Sequence, residues 1–312
     1  MIISLEESAR QLTSCEVVAI PTETVYGLAA SIYSEKAIKQ IFILKNRPLT
    51  NPLIVHISHL SQLNEFVQMP EGDCLKLAQA FWPGPLTMIL PLLRPQALSP
   101  WITAGLPTVA VRMPSQPETL ELIRRIGPLV APSANLSGLP SATRPAHIAH
   151  DFGDAFPILE GVCGSLGIES TIIASVDGKI FIGREGALLS ADMEPILGYK
   201  PTLLPEQERP ICPGQHFRHY APHARIHLIP YKAMTADHCV VIGFNDRNYP
   251  FATRFFPLGS TQDPQMHQAK LYAILRELDD EKIKEAYVDS DFLPDERSQL
   301  IKNRLIKASS CQ

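Results

Sequence analysis

A chain of 312 residues is long enough for about two domains, each with its own core. Its 28 basic and 32 acidic side chains leave a net charge of −4, which argues against a protein whose whole surface coats nucleic acid. The six cysteines are scattered with no Cys-x-x-Cys pair, so neither a disulfide framework nor a zinc knuckle is predicted, and a reducing cytosol fits them.

At the amino terminus, Ser4 and Glu7 form a capping-box pattern that opens an ordinary helix and not a secretory signal. Residues 17–20 read as a short buried strand ended by Pro21, so the polar group Thr22-Glu23-Thr24 is predicted to emerge at a sheet rim. Ser34 is a candidate N-cap for a helix that carries Ile38, Ile41 and Phe42 on one face and cannot pass Pro48. Segments 53–57, 86–90, 109–111 and 129–131 read as strands, and 71–82 and 118–126 as helices. The most apolar run, 86–93, is broken by Pro91 and falls far short of the roughly 20 residues of a spanning helix, which predicts a soluble protein without a membrane partner.

Segments 170–176 and 179–182, joined by Asp177-Gly178, predict a β-hairpin. The first domain is therefore expected to be α/β with a twisted, open, mixed sheet. Prolines 201, 205, 210, 213 and 222 disfavour regular structure and mark a linker. Beyond it, strands at 226–229, 240–244 and 286–288 and helices at 265–278 and 295–307 predict a small Rossmann-like α/β domain without a glycine-rich phosphate loop. The predicted units are 1–207, a linker over 208–222, and 223–312.

Lys45 and Arg47 fall at a helix end close to the Thr22–Thr24 group, where two obligate cations suit an anionic substrate; alone, they better suit a solvated terminus complementing its own dipole, and the neighbouring threonines shift the balance. As rim cations they are expected to support charge in a site and not core packing. With Lys36 and Lys39 they form an early basic cluster, whereas the last stretch of the chain is acidic. Arg112, leaving a strand, can face a ligand or form a structural ion pair. His56, after Leu53-Ile54-Val55, suits a hydrogen-bonded core position as well as a site. Ser133-Ala134-Asn135 is either an ordinary turn or a pair of polar side chains aimed at one ligand. Ser170 can reach substrate, and Arg184 can meet a phosphate or pair with Glu185. His216, His219, His223 and His227 have metal-like spacing, but Pro222 breaks the helix such a site needs, so no protein metal site is predicted.

The run Pro21-Thr22-Glu23-Thr24-Val25-Tyr26-Gly27-Leu28 with Lys45-Asn46-Arg47-Pro48 resembles the signature of the YrdC-like family, specifically the threonylcarbamoyl-AMP synthases. Further matches follow in the family's order: Asn51-Pro52-Leu53-Ile54-Val55-His56, Phe81-Trp82-Pro83-Gly84-Pro85-Leu86-Thr87, Val109-Ala110-Val111-Arg112-Met113-Pro114, Ala131-Pro132-Ser133-Ala134-Asn135-Leu136-Ser137-Gly138 and Glu169-Ser170-Thr171-Ile172-Ile173. The run from Pro213 to Pro222, containing His216-Phe217-Arg218-His219-Tyr220, is similar to the linker of the longer, two-domain form. Where that form usually has a glycine-rich approach to the last helix, this chain has Leu293-Pro294-Asp295-Glu296-Arg297.

The resemblance implies synthesis of threonylcarbamoyl-AMP from L-threonine, bicarbonate and ATP, with magnesium carried in by ATP. It implies catalytic roles for Lys45 and Arg47, threonine or bicarbonate contacts from Thr24, His56, Arg112 and Ser170, and ATP contacts from Lys45, Arg47, Ser133, Asn135, Arg184 and Tyr220. A cytoplasmic enzyme is expected, with a downstream tRNA-modifying transferase complex as partner and a transient tRNA contact in the first domain. The linker, dense in aromatic and cationic side chains, is expected to act as a lid, its alternative being mere docking of the second domain. The competing activities are an RNA-binding module without the ligase step and a carbamoyl transferase; the latter lacks its expected Cys-rich zinc modules here.

Overall fold

The structure, a computed structural model, describes residues 1–205, 220–235, 237 and 239–309. Its strands are short, and they gain stability by joining one eleven-stranded sheet. The order across that sheet is Ile2–Ile3, Ile158–Leu159, Val18–Ile20, Gly27–Ser31, Leu129–Val130, Ile54–His56, Thr108–Arg112, Leu86–Pro91, Thr171–Val176, Lys179–Arg184 and Thr202–Leu203. Parallel and antiparallel pairs are mixed within it, as the hairpin implied. Asp177 and Gly178, with φ of 50° and 79°, make the tight hairpin turn. A second sheet, in the order Arg225–Ile229, Glu285–Asp289, Val240–Phe244 and Arg254–Gly259, is wholly parallel. The fold class is thus the expected one, a mixed α/β sheet followed by a small Rossmann-like domain. Strand Arg254–Gly259 escapes the sequence pattern because Pro257 interrupts it, and its edge position tolerates that proline.

Local chemistry sets the elements that carry the site. Ser34 caps the helix Glu35–Lys45, its hydroxyl accepting from Ala37 N at 3.2 Å, and Ile38, Ile41 and Phe42 bury one face. This helix ends before Pro48 acts: Asn46 takes the left-handed conformation, φ 50°, and Arg47 N closes on Phe42 O. At the amino terminus, Ser4 caps Leu5–Thr13 through Glu7 N, but Glu7 turns its carboxylate to Arg10 and Gln11, so only half of the predicted box forms.

Helices Pro264–Asp280 and Glu296–Ser309 of the second domain pack on the first. Arg276 makes a buried ion pair with Asp151 at 2.7 Å, and Gln268 Nε2 donates to Leu166 O at 2.9 Å. Gly167, at φ +67°, lets its loop lie against this helix; a Cβ there would stand 2.6 Å from Ala269 Cα. The unusual Leu293–Arg297 approach serves the same docking: Glu296 accepts from Ser190 N at 2.6 Å, and Arg297, which also donates to Gln268 Oε1 of its own domain, reaches Ala187 O at 3.5 Å. Among the described residues, no helix is long and apolar enough to cross a membrane. Of the predicted linker and lid, Tyr220, Ala221 and Pro222 are described; the rest, with His216 and His219, lies outside the described residues.

Candidate active site

Strands Ile54–His56 and Thr108–Arg112 run parallel with His56 opposite Arg112, so both side chains leave the sheet at the same carboxyl-terminal edge. Arg112 is 4 % exposed, and three partners hold its guanidinium: Nη1 donates to Thr24 Oγ1 at 2.9 Å, Nε to Gly84 O at 3.3 Å, and Nη2 lies 2.7 Å from Glu23 Oε1. The ion pair and the ligand-facing position, alternatives in the sequence, are therefore both realised. Thr22 Oγ1 accepts from the N–H groups of Thr24 and Val25 at 3.2 Å, folding this segment into a buried turn. The Thr22–Thr24 group thus lies inside the molecule and not on an exposed rim. His56 is buried with Nδ1 3.2 Å from Ile54 O; burial, then the charge of Arg112, pushes its pKa down to about 3, so the imidazole is neutral.

Lys45 corrects a second expectation. It is 1 % exposed, and its Nζ donates to Ser133 O and Asn135 O, each at 2.5 Å, while its own carbonyl accepts from Ser137 N at 2.9 Å. Lys45 is consequently part of the frame of the 133–137 segment and not a solvated rim cation. Arg47 is half-buried, donating to Asn51 O at 3.1 Å and Pro52 O at 2.6 Å. Burial lowers the pKa of both groups, and mutual repulsion adds to it: Arg47 acts on Lys45, and Arg184 on Arg47. Cations crowded together in this way favour an anion. The early basic cluster is accordingly split, because Lys39 instead pairs with Glu35 at 2.6 Å on the surface.

Arg184 reaches the same place through a β-bulge in strand Lys179–Arg184, which re-aims the side chain. Its Nη2 donates to Ser170 O at 2.9 Å and approaches Ser170 Oγ at 3.3 Å, so the guanidinium turns to Ser170; the charge of Glu185 is felt instead by Arg304 and Lys307. Ser170 Oγ also lies 2.8 Å from Thr87 Oγ1. Asn135 Nδ2 donates to Leu136 O and Leu139 O, which fixes the 135–139 turn. Tyr220 is buried, and Ala221 N ties its segment to Gly138 O at 3.0 Å.

All ten predicted side chains, Thr24, Lys45, Arg47, His56, Arg112, Ser133, Asn135, Ser170, Arg184 and Tyr220, line one cleft of about 1140 Å³, its open mouth included. The sequence reasoning missed Ser137, Ser141 and Glu169, which also line it, although Ser137 and Glu169 stand within the matched motifs. Glu169 is the one carboxylate among the described lining residues: Ser141 Oγ donates to it at 2.6 Å and Tyr272 Oη at 2.7 Å. Burial alone would raise its pKa, but Arg304, Arg184 and these two hydroxyls outweigh it and hold the carboxyl below its usual value. Of the histidines, His223 meets Asp279 and His227 stacks on Tyr287. Among the described residues, no group of three or more His, Cys, Asp or Glu is placed to hold a metal ion.

A family model described as telomere recombination matches residues 10–186, and one described as the threonylcarbamoyl-AMP synthase C-terminal domain matches residues 187–310. The threonylcarbamoyl-AMP synthase of Bacillus subtilis (strain 168) is 38 % identical over 323 residues, spanning 98 % of this chain and 92 % of its own. That of Pyrococcus abyssi (strain GE5 / Orsay) is 40 % identical over 220 residues, 69 % of this chain and 64 % of its own. The crystal structure of P. abyssi Sua5 complexed with L-threonine matches with a TM-score of 0.88 and 32 % identity, over 99 % of this chain and 98 % of that one. With both domains matched in order and the cleft assembled from the shared motifs, the chain belongs to the threonylcarbamoyl-AMP synthase family in its two-domain form.

Proposed function

We propose that this chain joins L-threonine, bicarbonate and ATP into L-threonylcarbamoyladenylate with release of pyrophosphate, the first step of a tRNA modification. The observation that carries the reading is the convergence of Lys45, Arg47, Arg184 and Arg112 on a cleft that has a single lining carboxylate among the described residues. Such a field selects a substrate set dominated by phosphate and carboxylate charge.

The chemical difficulty is the carbamate of threonine, which reverts readily to amine and carbon dioxide. The site therefore has to hold it by fixed donors and exclude water until it reacts. In our reading Arg112 and Thr24 take the threonine carboxylate, and neutral His56 hydrogen-bonds threonine without adding charge. Ser170 sits between the two substrate regions. A carbamate oxygen attacks the α-phosphorus, the bond to the leaving pyrophosphate breaks, and Lys45, Arg47 and Arg184 neutralise the charge that develops. Ser133, Asn135 and Tyr220 border the nucleotide.

Magnesium would enter on the ATP phosphates, and among the described residues the cleft would offer it one carboxylate, Glu169, whose oxygens accept from Ser141 and Tyr272. When bound, it supplies charge neutralisation on the phosphates. The product is a reactive mixed anhydride, which suits direct handover to a tRNA-modifying transferase in the cytosol. The splitting of the early basic cluster leaves a stable tRNA platform without support, and a transient contact remains the reading. The test is pyrophosphate release by the purified chain with ATP, magnesium, threonine and bicarbonate. Turnover needing both threonine and bicarbonate, with the adenylate seen by mass spectrometry, is expected without tRNA; an absolute need for tRNA would overturn the small-molecule reaction.

A further inference from the structure

We infer that Tyr272 and Arg304 of the second domain are positioning residues for the nucleotide side of the cleft, acting through Tyr220 and Glu169. This rests on the functional reading above for the identity of the ligand, and on geometry for the rest.

Tyr220 has a left-handed backbone, φ 66°, which a bulky residue adopts only when its surroundings impose it. Two groups of the second domain enclose its ring: Tyr272 stacks on it with centroids 5.3 Å apart and planes at 15°, and the Arg304 guanidinium lies 4.9 Å from its centroid. The ring cannot leave the cleft wall without losing both contacts. The same two residues control Glu169. Tyr272 Oη donates to one carboxylate oxygen at 2.7 Å while Ser141 takes the other, and Arg304, 2 % exposed, is among the charges that keep the carboxyl ionised. A buried carboxylate in a cleft for phosphates would repel its substrate unless a cation behind it balanced the charge. Arg304 and Arg184 both act on this carboxylate, and Arg304 is anchored by donating to Glu185 O at 2.5 Å.

Simple domain docking is separable from this role. Arg297 lies at the same interface, donating to Gln268 Oε1 at 2.6 Å and to Ala187 O at 3.5 Å, and is not among the lining residues. The experiment compares full-length Tyr272→Phe, Arg304→Ala, Arg304→Lys and Arg297→Ala, measuring KM for ATP and for threonine by pyrophosphate release, Kd for ATP by calorimetry, and Tm. Tyr272→Phe keeps the ring stack and removes only the hydroxyl, so it reports even if Arg304→Ala folds poorly. Tyr272→Phe and Arg304→Ala are expected to raise KM and Kd for ATP by about fivefold or more, leaving KM for threonine within about twofold. Arg304→Lys recovers part of the ATP affinity, and Arg297→Ala leaves the constants unchanged even where it lowers Tm. Equal losses for ATP and threonine, an ATP loss reproduced by Arg297→Ala, or wild-type constants in Tyr272→Phe and Arg304→Ala would each overturn the inference. A wild-type chain without threonine-dependent turnover would overturn the functional reading instead, while the ATP dissociation constants still decide the role of Tyr272 and Arg304.

Discussion

At one end of the cleft, Thr24, His56 and Arg112 are held by neighbours from the first domain alone, whereas at the other Tyr220 and Glu169 are held by Tyr272 and Arg304 of the second. The first end is built by strand register, because His56 and Arg112 face each other across a parallel pair, and it exists once that sheet forms. The second end needs two cores in contact. Lys45, between them, belongs to the first domain yet braces the 133–137 segment, and Asp151 links that wall to the second domain by accepting from Leu136 N at 3.1 Å while paired to Arg276. Threonine recognition should therefore survive loosening of the domain interface better than nucleotide recognition does.

The largest effect should come from the end built by register. Arg112→Ala leaves Glu23 buried without its cation, and a loss of about 3–5 kcal/mol in urea unfolding is expected together with loss of threonine-dependent turnover. The double variant Arg112→Ala/Glu23→Ala should regain part of the stability and none of the turnover. Full activity in either variant would remove Arg112 from the site.

Lys45→Met comes next. Turnover should fall by about 10²–10³, and removing the donor from two carbonyls should also cost about 1–3 kcal/mol of stability, measured by the same unfolding experiment. A variant with normal turnover would contradict the anion site; one inactive but fully stable would contradict the bracing role.

Adding an anionic ligand sharpens the comparison from the other side. Because Lys45, Arg47 and Arg184 repel one another in the cleft, saturating pyrophosphate with magnesium should raise stability, by about 2.7 kcal/mol at 100 times its dissociation constant. Threonine alone should protect less. A Tm unmoved by pyrophosphate would show that these cations do not form an anion site.

The smallest expected effect, taken per pH unit, concerns the domain boundary. His147 is buried, accepts from Thr143 N, and has its pKa pushed down to about 3 by burial and by Arg276. Its ordinary value is near 6.5, so between about pH 6.5 and 3 the unfolded chain binds a proton that the folded one does not. Stability therefore rises with pH across that window and is lost on acidification, by at most about 1.4 kcal/mol per pH unit for this group. His147→Gln should flatten the dependence of Tm on pH there; an unchanged slope would contradict the assignment.

Where local chemistry decides, the sequence was sufficient. Apolar runs located most of the strands but not Ile2–Ile3, Gly27–Ser31, Ile158–Leu159, Thr202–Leu203 or Arg254–Gly259, while Ser34 located a helix start and Asp177-Gly178 the hairpin, because these depend on residues a few positions apart. The ordered motifs also identified the ten side chains that share one cleft. Other features could not be read locally. Lys45 looks like a helix-end cation until the fold places Ser133 O and Asn135 O beside its ammonium group, and Glu23 becomes the partner of Arg112 only through strand pairing across the sheet. Tyr272 and Arg304 lie on two amphipathic helices whose sequence pattern marks a buried face without saying what covers it. Only packing of the second core against the first turned that face towards Tyr220 and Glu169, since contacts between residues far apart in the chain are set by the shape and burial of whole domains and not by local pattern.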